Sequence, residues 1–221
     1  TVASAPDLSV ANLRIDNASV QSGDQVTVRW DDVNGGVRPV TATFTDHIIV
    51  FNTNTNVSLF NTLVTYDATP TGDGPIGPSG TRARSYVFKV PDGAPGVGVL
   101  RITVTTDSNL LGAGVLNEAN DAGTGETNNT SILNVTSTQR LYPDLTATNV
   151  SAPDSARGGD TITVTWHVTN IGTIAASGNW NDTVVFSRDL VFGNADDVVL
   201  KTVEHTGGLA GGASYNGSTA S

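Results

Sequence analysis

Two stretches of the chain concentrate the oxygen-bearing side chains that bind hard cations. Asp189, Asn194, Asp196 and Asp197 fall within nine residues, around a turn at Gly193. Calcium takes about 6–8 oxygen ligands at ~2.3–2.6 Å, backbone carbonyls and water among them. Four side chains and the carbonyls of a glycine turn suit that demand. The alternate-residue ligand spacing of an EF-hand loop is absent, and a hairpin held by Asx turns is the plain alternative. The second stretch holds Asp107, Asn109, Glu118, Asp121 and Glu126, with Asn117, Asn120, Asn128 and Asn129 between them. It spans a connection of about 23 residues, longer than most ordered loops unless function or a metal shapes it. Both stretches are therefore read as Ca²⁺ sites that would stiffen the chain. A disordered acidic loop is the alternative for the second.

Other chemistry is poorly represented. The chain has no Cys, so it has neither a thiolate metal site nor a cysteine nucleophile. His47, His167 and His205 lie on different predicted strands. No G-x-S-x-G elbow and no H-E-x-x-H helix occurs. The residues predict no catalytic site. Asp46 and Asp182 each follow an aromatic residue, Phe44 and Trp180, by two positions. Strict alternation points both inward, where a carboxylate must be hydrogen-bonded or paired. They are expected to accept backbone N–H groups at a strand bend. Lys89 and Lys201, the only lysines, raise the idea of an isopeptide cross-link. Lys89 alternates outward from Tyr86 and Phe88, which argues against it.

Charge narrows the partners. Among 221 residues, 21 acidic side chains against 11 Lys and Arg give a net charge of −10. Nucleic acid and anionic lipid need clustered cations, so neither is an expected partner. No apolar run reaches the 18 or more residues of a membrane-spanning helix. Asp outnumbers Glu 18 to 3, and Thr occurs 31 times. That composition favours turns and half-exposed strands over helices.

These side chains sit on a repeated frame. Gly23-Asp24-Gln25-Val26-Thr27-Val28-Arg29-Trp30 recurs as Gly159-Asp160-Thr161-Ile162-Thr163-Val164-Thr165-Trp166, an offset of 136. The same offset pairs Phe44 with Trp180 and Asp46 with Asp182. A period this long suits tandem domains rather than a solenoid. The reading is two tandem units, residues 1–138 and 139–221, the second incomplete and lacking its last 50 or so residues. Neighbouring repeats of the same chain are the expected partners, with another chain a candidate to complete the second unit. The linker around 138–142 has no Gly and is expected to be stiff.

Period-two alternation dominates both units. Strands are predicted near 8–15, 25–32, 44–51, 56–66, 85–90, 98–106 and 130–136, then near 145–150, 161–170, 183–187 and 198–204. Seven short strands with an early Trp predict an all-β, immunoglobulin-like β-sandwich. Trp30 would fill the space between the sheets, a burial that contributes roughly 2–3 kcal/mol.

Certain residues carry a family resemblance. Pro143-Asp144-Leu145, then Gly159 to Trp166 followed by His167-Val168-Thr169-Asn170-Ile171-Gly172, resembles the CARDB domain, named for cell adhesion in bacteria. Gly178-Asn179-Trp180-Asn181-Asp182 through Asp189 is similar too. The likeness covers almost the whole chain, the ending Thr105–Asn109 and Glu126–Thr130 of the first unit included, and is weaker in the middle of that unit, where Asp31-Asp32-Val33-Asn34-Gly35-Gly36 replaces the Val-Thr-Asn-x-Gly stretch. The resemblance implies a β-sandwich repeat of a large secreted or surface protein of bacteria, extracellular and without catalysis. The expected role is a spacer. The alternatives are a carbohydrate- or protein-binding module, or an accessory domain of a secreted hydrolase.

Overall fold

A computed structural model describes residues 4–220. The fold is an all-β, immunoglobulin-like sandwich architecture in two compact units, Thr1–Arg140 and Leu141–Ser221.

In unit 1, one sheet contains β1 (Leu8–Ile15), β3 (Gln25–Asn34) and β6 (Thr81–Lys89), in the order β1-β3-β6. The other contains β2 (Val20–Gln21), β4 (Phe44–Asn52), β5 (Val57–Tyr66), β7 (Gly98–Thr105) and β8 (Thr130–Thr138), in the order β2-β8-β7-β4-β5. All pairings are antiparallel except that of β2 with β8. The two-residue β2 escapes sequence reading because it has no room for an alternating pattern.

Alternation decides what fills the space between the sheets. Val26, Val28 and Trp30 of β3 and Phe88 of β6 meet Ile48 and Val50 of β4 and Leu100, Ile102 and Val104 of β7. Trp30 is fully buried. A second cluster gathers Leu8, Val40, Phe44, Tyr66, Ala68 and Ile76, with the Phe44 and Tyr66 rings stacked at 5.1 Å.

Unit 2 repeats part of this plan. Its first sheet contains β9 (Leu145–Ser151), β10 (Thr163–Asn170) and β13 (Ser214–Ala220), in the order β13-β10-β9. Its second pairs β11 (Trp180–Phe186) with β12 (Val198–His205). These five strands correspond to β1, β3, β6, β4 and β5. Alternation of apolar residues identifies no strand after 204, yet β13 pairs with β10 from Thr163↔Ala220 to Thr169↔Ser214. Its sequence, Ser-Tyr-Asn-Gly-Ser-Thr-Ala, has almost no apolar signal, and the ladder to β10 supplies the order.

Fine detail repeats as well. In both units the first strand slips register beside the central one, between Ala11 and Arg14 and again between Thr148 and Ser151. Asn12 (φ 52°) and Asn149 (φ 51°) occupy the two slips. Asn tolerates the left-handed region better than most residues, so it suits a bulge.

Candidate functional site

In unit 1 the long connection between β7 and β8 is ordered by its own carboxylates and amides. Asp107 accepts the N–H groups of Val115 (3.0 Å) and Leu116 (2.9 Å). Asn109 accepts those of Leu111 and Ala113. Glu118 reaches back to the first strand, accepting from Leu8 N–H at 2.8 Å and from Asn129 Nδ2 at 2.7 Å. Glu126 accepts the N–H of Glu118 at 2.7 Å. Asn120 and Asn128 both donate to Asp7. Asp121 is exposed. Burial, the largest influence, pushes the Glu118 carboxyl up to about 7 despite these two donors.

The loop of unit 2 follows the same logic at the surface. Asp189 accepts the N–H of Val191 at 2.7 Å and the side-chain amide of Asn194. Asn194 accepts the N–H of Asp196, and Asp196 accepts that of Arg188. Asp197 accepts the N–H of Gly193, which leads the influences holding its carboxyl below the usual range. Among the described residues no group of three or more His, Asp or Glu side chains is arranged to hold a metal ion. In both stretches the carboxylates satisfy backbone donors that a structured loop would otherwise leave exposed or unpaired.

The most unusual chemistry lies in the core of unit 1. Asp46 points inward, as alternation requires, but its partners differ from expectation. Trp30 Nε1 donates to Asp46 Oδ2 (3.3 Å) and Asp32 Oδ1 (3.2 Å), and Arg84 Nε donates to Asp46 Oδ2 (2.9 Å). The carboxylate clamps side chains of the facing sheet rather than capping backbone at a bend. The reason is position: β4 lies opposite β3, so a short inward acid meets the indole and not a turn. Arg84 also lies 3.3 Å from Asp32 and sits over the Tyr66 ring at 5.0 Å. Both acids are fully buried. Burial first, then the charge of Asp46, pushes the Asp32 carboxyl up to about 8. Burial also raises Asp46.

Unit 2 keeps the indole and its acid. Trp166 Nε1 donates to Asp182 Oδ2 at 2.7 Å, and Tyr215 Oη donates to the same oxygen at 2.8 Å. Trp180 Nε1 donates to the Tyr215 hydroxyl at 3.1 Å, and the His205 ring stacks against both Trp180 and Tyr215. Burial, then Asp182, raises the Tyr215 phenol. Beside this network is an open cavity of about 540 Å³ lined by Val164, Trp166, Val168, Asp182, Val184 and Phe192 among others.

A further repeated device escaped the sequence reading. Asn34 Oδ1 accepts the N–H groups of Asp7 and Gly36, while its Nδ2 donates to Arg38 and Ile76 carbonyls. Asn170 does the same with Asp144, Gly172, Ile174 and Leu209. The shared Asn-x-Gly at an offset of 136 was the available signal. It survives in the stretch where the first unit otherwise departs from the family pattern. Asp32 and Arg84 were legible too. Asp32 continues the inward series Val26, Val28, Trp30, and Arg84 continues Phe88, Tyr86.

The CARDB family model matches residues 142–220. Among solved structures the chain is similar to the CARDB domain of a Pyrococcus furiosus protein in complex with di-metal ions. That match has 18% identity, covers 63% of this chain and 100% of that one, and has a TM-score of 0.38. The solution NMR structure of the same Pyrococcus furiosus domain matches at 16% identity over 61% of this chain and 97% of that one, with a TM-score of 0.38. Red sea bream transglutaminase matches at 10% identity over 97% of this chain and 26% of that one, with a TM-score of 0.35. A search of curated proteins finds no match.

Proposed function

From a chain whose residues 142–220 match the CARDB family model, we infer a structural role. The chain is a non-catalytic, extracellular spacer segment of a larger bacterial surface protein, and its partners are neighbouring repeats. One observation supports this reading above the others: the polar groups repeated between the units are spent on architecture. An aspartate ties the central indole across the sheets in each unit, Asp46 to Trp30 and Asp182 to Trp166. A buried Asn pins the chain after the central strand in each unit. A repeated binding or catalytic site would instead repeat side chains aimed at an open pocket.

A protein-binding role has one specific observation in its favour. Leu190, Val191 and Phe192 form an exposed apolar tip in unit 2 where unit 1 has the polar Thr53 to Asn56. Calcium is a finer proposal, resting on the exposed Asp189 with the half-buried Asp196 and Asp197, and on the loop at 107–126.

One set of melting curves tests these readings, taken with the full chain in calcium, in EDTA, and with glycan and peptide panels. A spacer melts at an unchanged midpoint with every glycan and peptide. A midpoint raised by any of them, as a ligand specific for the folded state requires, replaces the spacer reading with the binding one. A calcium-dependent rise that EDTA reverses supports the metal. A midpoint identical in calcium and EDTA removes it.

A further inference from the structure

The acidic pair inside unit 1 has an unbalanced charge. Asp32 on β3 and Asp46 on β4 are both fully buried. One guanidinium reaches both, with Arg84 Nε 2.9 Å from Asp46 and 3.3 Å from Asp32. Its Nη2 is turned toward the carbonyls of Val64 and Thr65 on β5. The other groups around the pair are Trp30 of β3, Tyr66 at the end of β5 and Thr106 just after β7, none with a formal charge at pH 7. His47, the neighbour of Asp46 on β4, bonds Asn61 instead. Two carboxylates against one cation would leave a buried negative charge, which is costly. Asp46 Oδ1 has no hydrogen-bond partner among the described residues, and Asp32 Oδ2 has only the ion-pair approach of Arg84. These two oxygens are where a proton can reside.

We propose that Asp32 and Asp46 share a single proton in the folded chain, and that losing it loosens the two sheets of unit 1. The clamp across the sandwich is then a proton-dependent lock. The direction follows from linkage. In the unfolded chain both carboxyls titrate near 3.9. Burial raises both in the folded state, Asp32 to about 8. Between about pH 4 and pH 8 the folded cluster holds one proton more than the unfolded chain. Its contribution is complete below about pH 4 and is lost as the pH rises to about 8. Within that window each pH unit raises the unfolding constant about tenfold. Glu118, raised to about 7, adds a slope of the same sign below that pH and must be removed to isolate the pair.

The test uses the full chain carrying Glu118→Gln, with and without Asp32→Asn. Hydrogen exchange of β3 and β4 peptides, corrected for intrinsic rates, reports the opening constant of unit 1 from pH 5 to 8. The Glu118→Gln chain should open about tenfold more readily per pH unit, and adding Asp32→Asn should flatten that slope. Carboxyl ¹³C shifts of the unaltered chain at pH 6 should show one protonated carboxyl in the Asp32–Asp46 pair. Equal slopes with and without Asp32→Asn overturn the proposal. So do two ionised carboxyls at pH 6, a reading that decides the matter even if Asp32→Asn does not fold.

Discussion

Units 1 and 2 hold the same indole with the same acid but balance the charge differently. In unit 1, Asp46 shares its site with Asp32, and Arg84 pairs across from Trp30 in the ladder. In unit 2 the residue at the place of Asp32 is Val168, and the residue paired across from Trp166 is Gly217. The Trp166 ring lies so close over Gly217 that a Cβ there would overlap it. One acid gained and one cation gained go together, as do one acid lost and one cation lost. Asp182 makes do with two neutral donors, Trp166 and Tyr215. The sandwich requires the indole to be held from the facing sheet. It does not require a particular way of compensating the acid that holds it.

This contrast can be broken most sharply at Arg84. Arg84→Met at pH 8 leaves two buried acids without a cation and should cost unit 1 about 3–5 kcal/mol, read by urea unfolding with hydrogen exchange in β3. A loss confined to a few tenths would mean the cation is dispensable and the contrast empty. The Asn pins test what the units share. Asn34→Ala and Asn170→Ala each strand buried backbone groups and should each cost about 2–3 kcal/mol in their own unit, by the same measurement. Clearly unequal costs would show that unit 2 relies less on the common frame. Tyr215→Phe is the mildest change. It removes one donor to Asp182 and should lower the stability of unit 2 by about 1.5 kcal/mol, followed by the fluorescence of Trp166 and Trp180 during urea unfolding. Unit 1 should not respond to it.

Composition explains why the acid-rich loops read as metal sites in sequence. Asp107, Glu118 and Glu126 have the composition of a calcium loop. Only the folded chain reveals that Leu8, Val115 and Leu116 bring N–H groups to them. A carboxylate accepts from an amide or from a cation with the same lone pairs, so composition cannot choose between them.

Alternation determined most strands and the inward direction of Trp30, Trp166, Asp46 and Asp182, and recurring residues determined the repeat. These follow from a two-residue period and from an offset counted along the chain, both local properties. What the tertiary structure decided is who meets whom across the sheets. Asp46 meets Trp30 and Arg84, Asp182 meets Trp166 and Tyr215, and Ser214–Ala220 becomes a strand because β10 offers a ladder. Those pairings join residues far apart in sequence, and their energies depend on burial that no single segment carries.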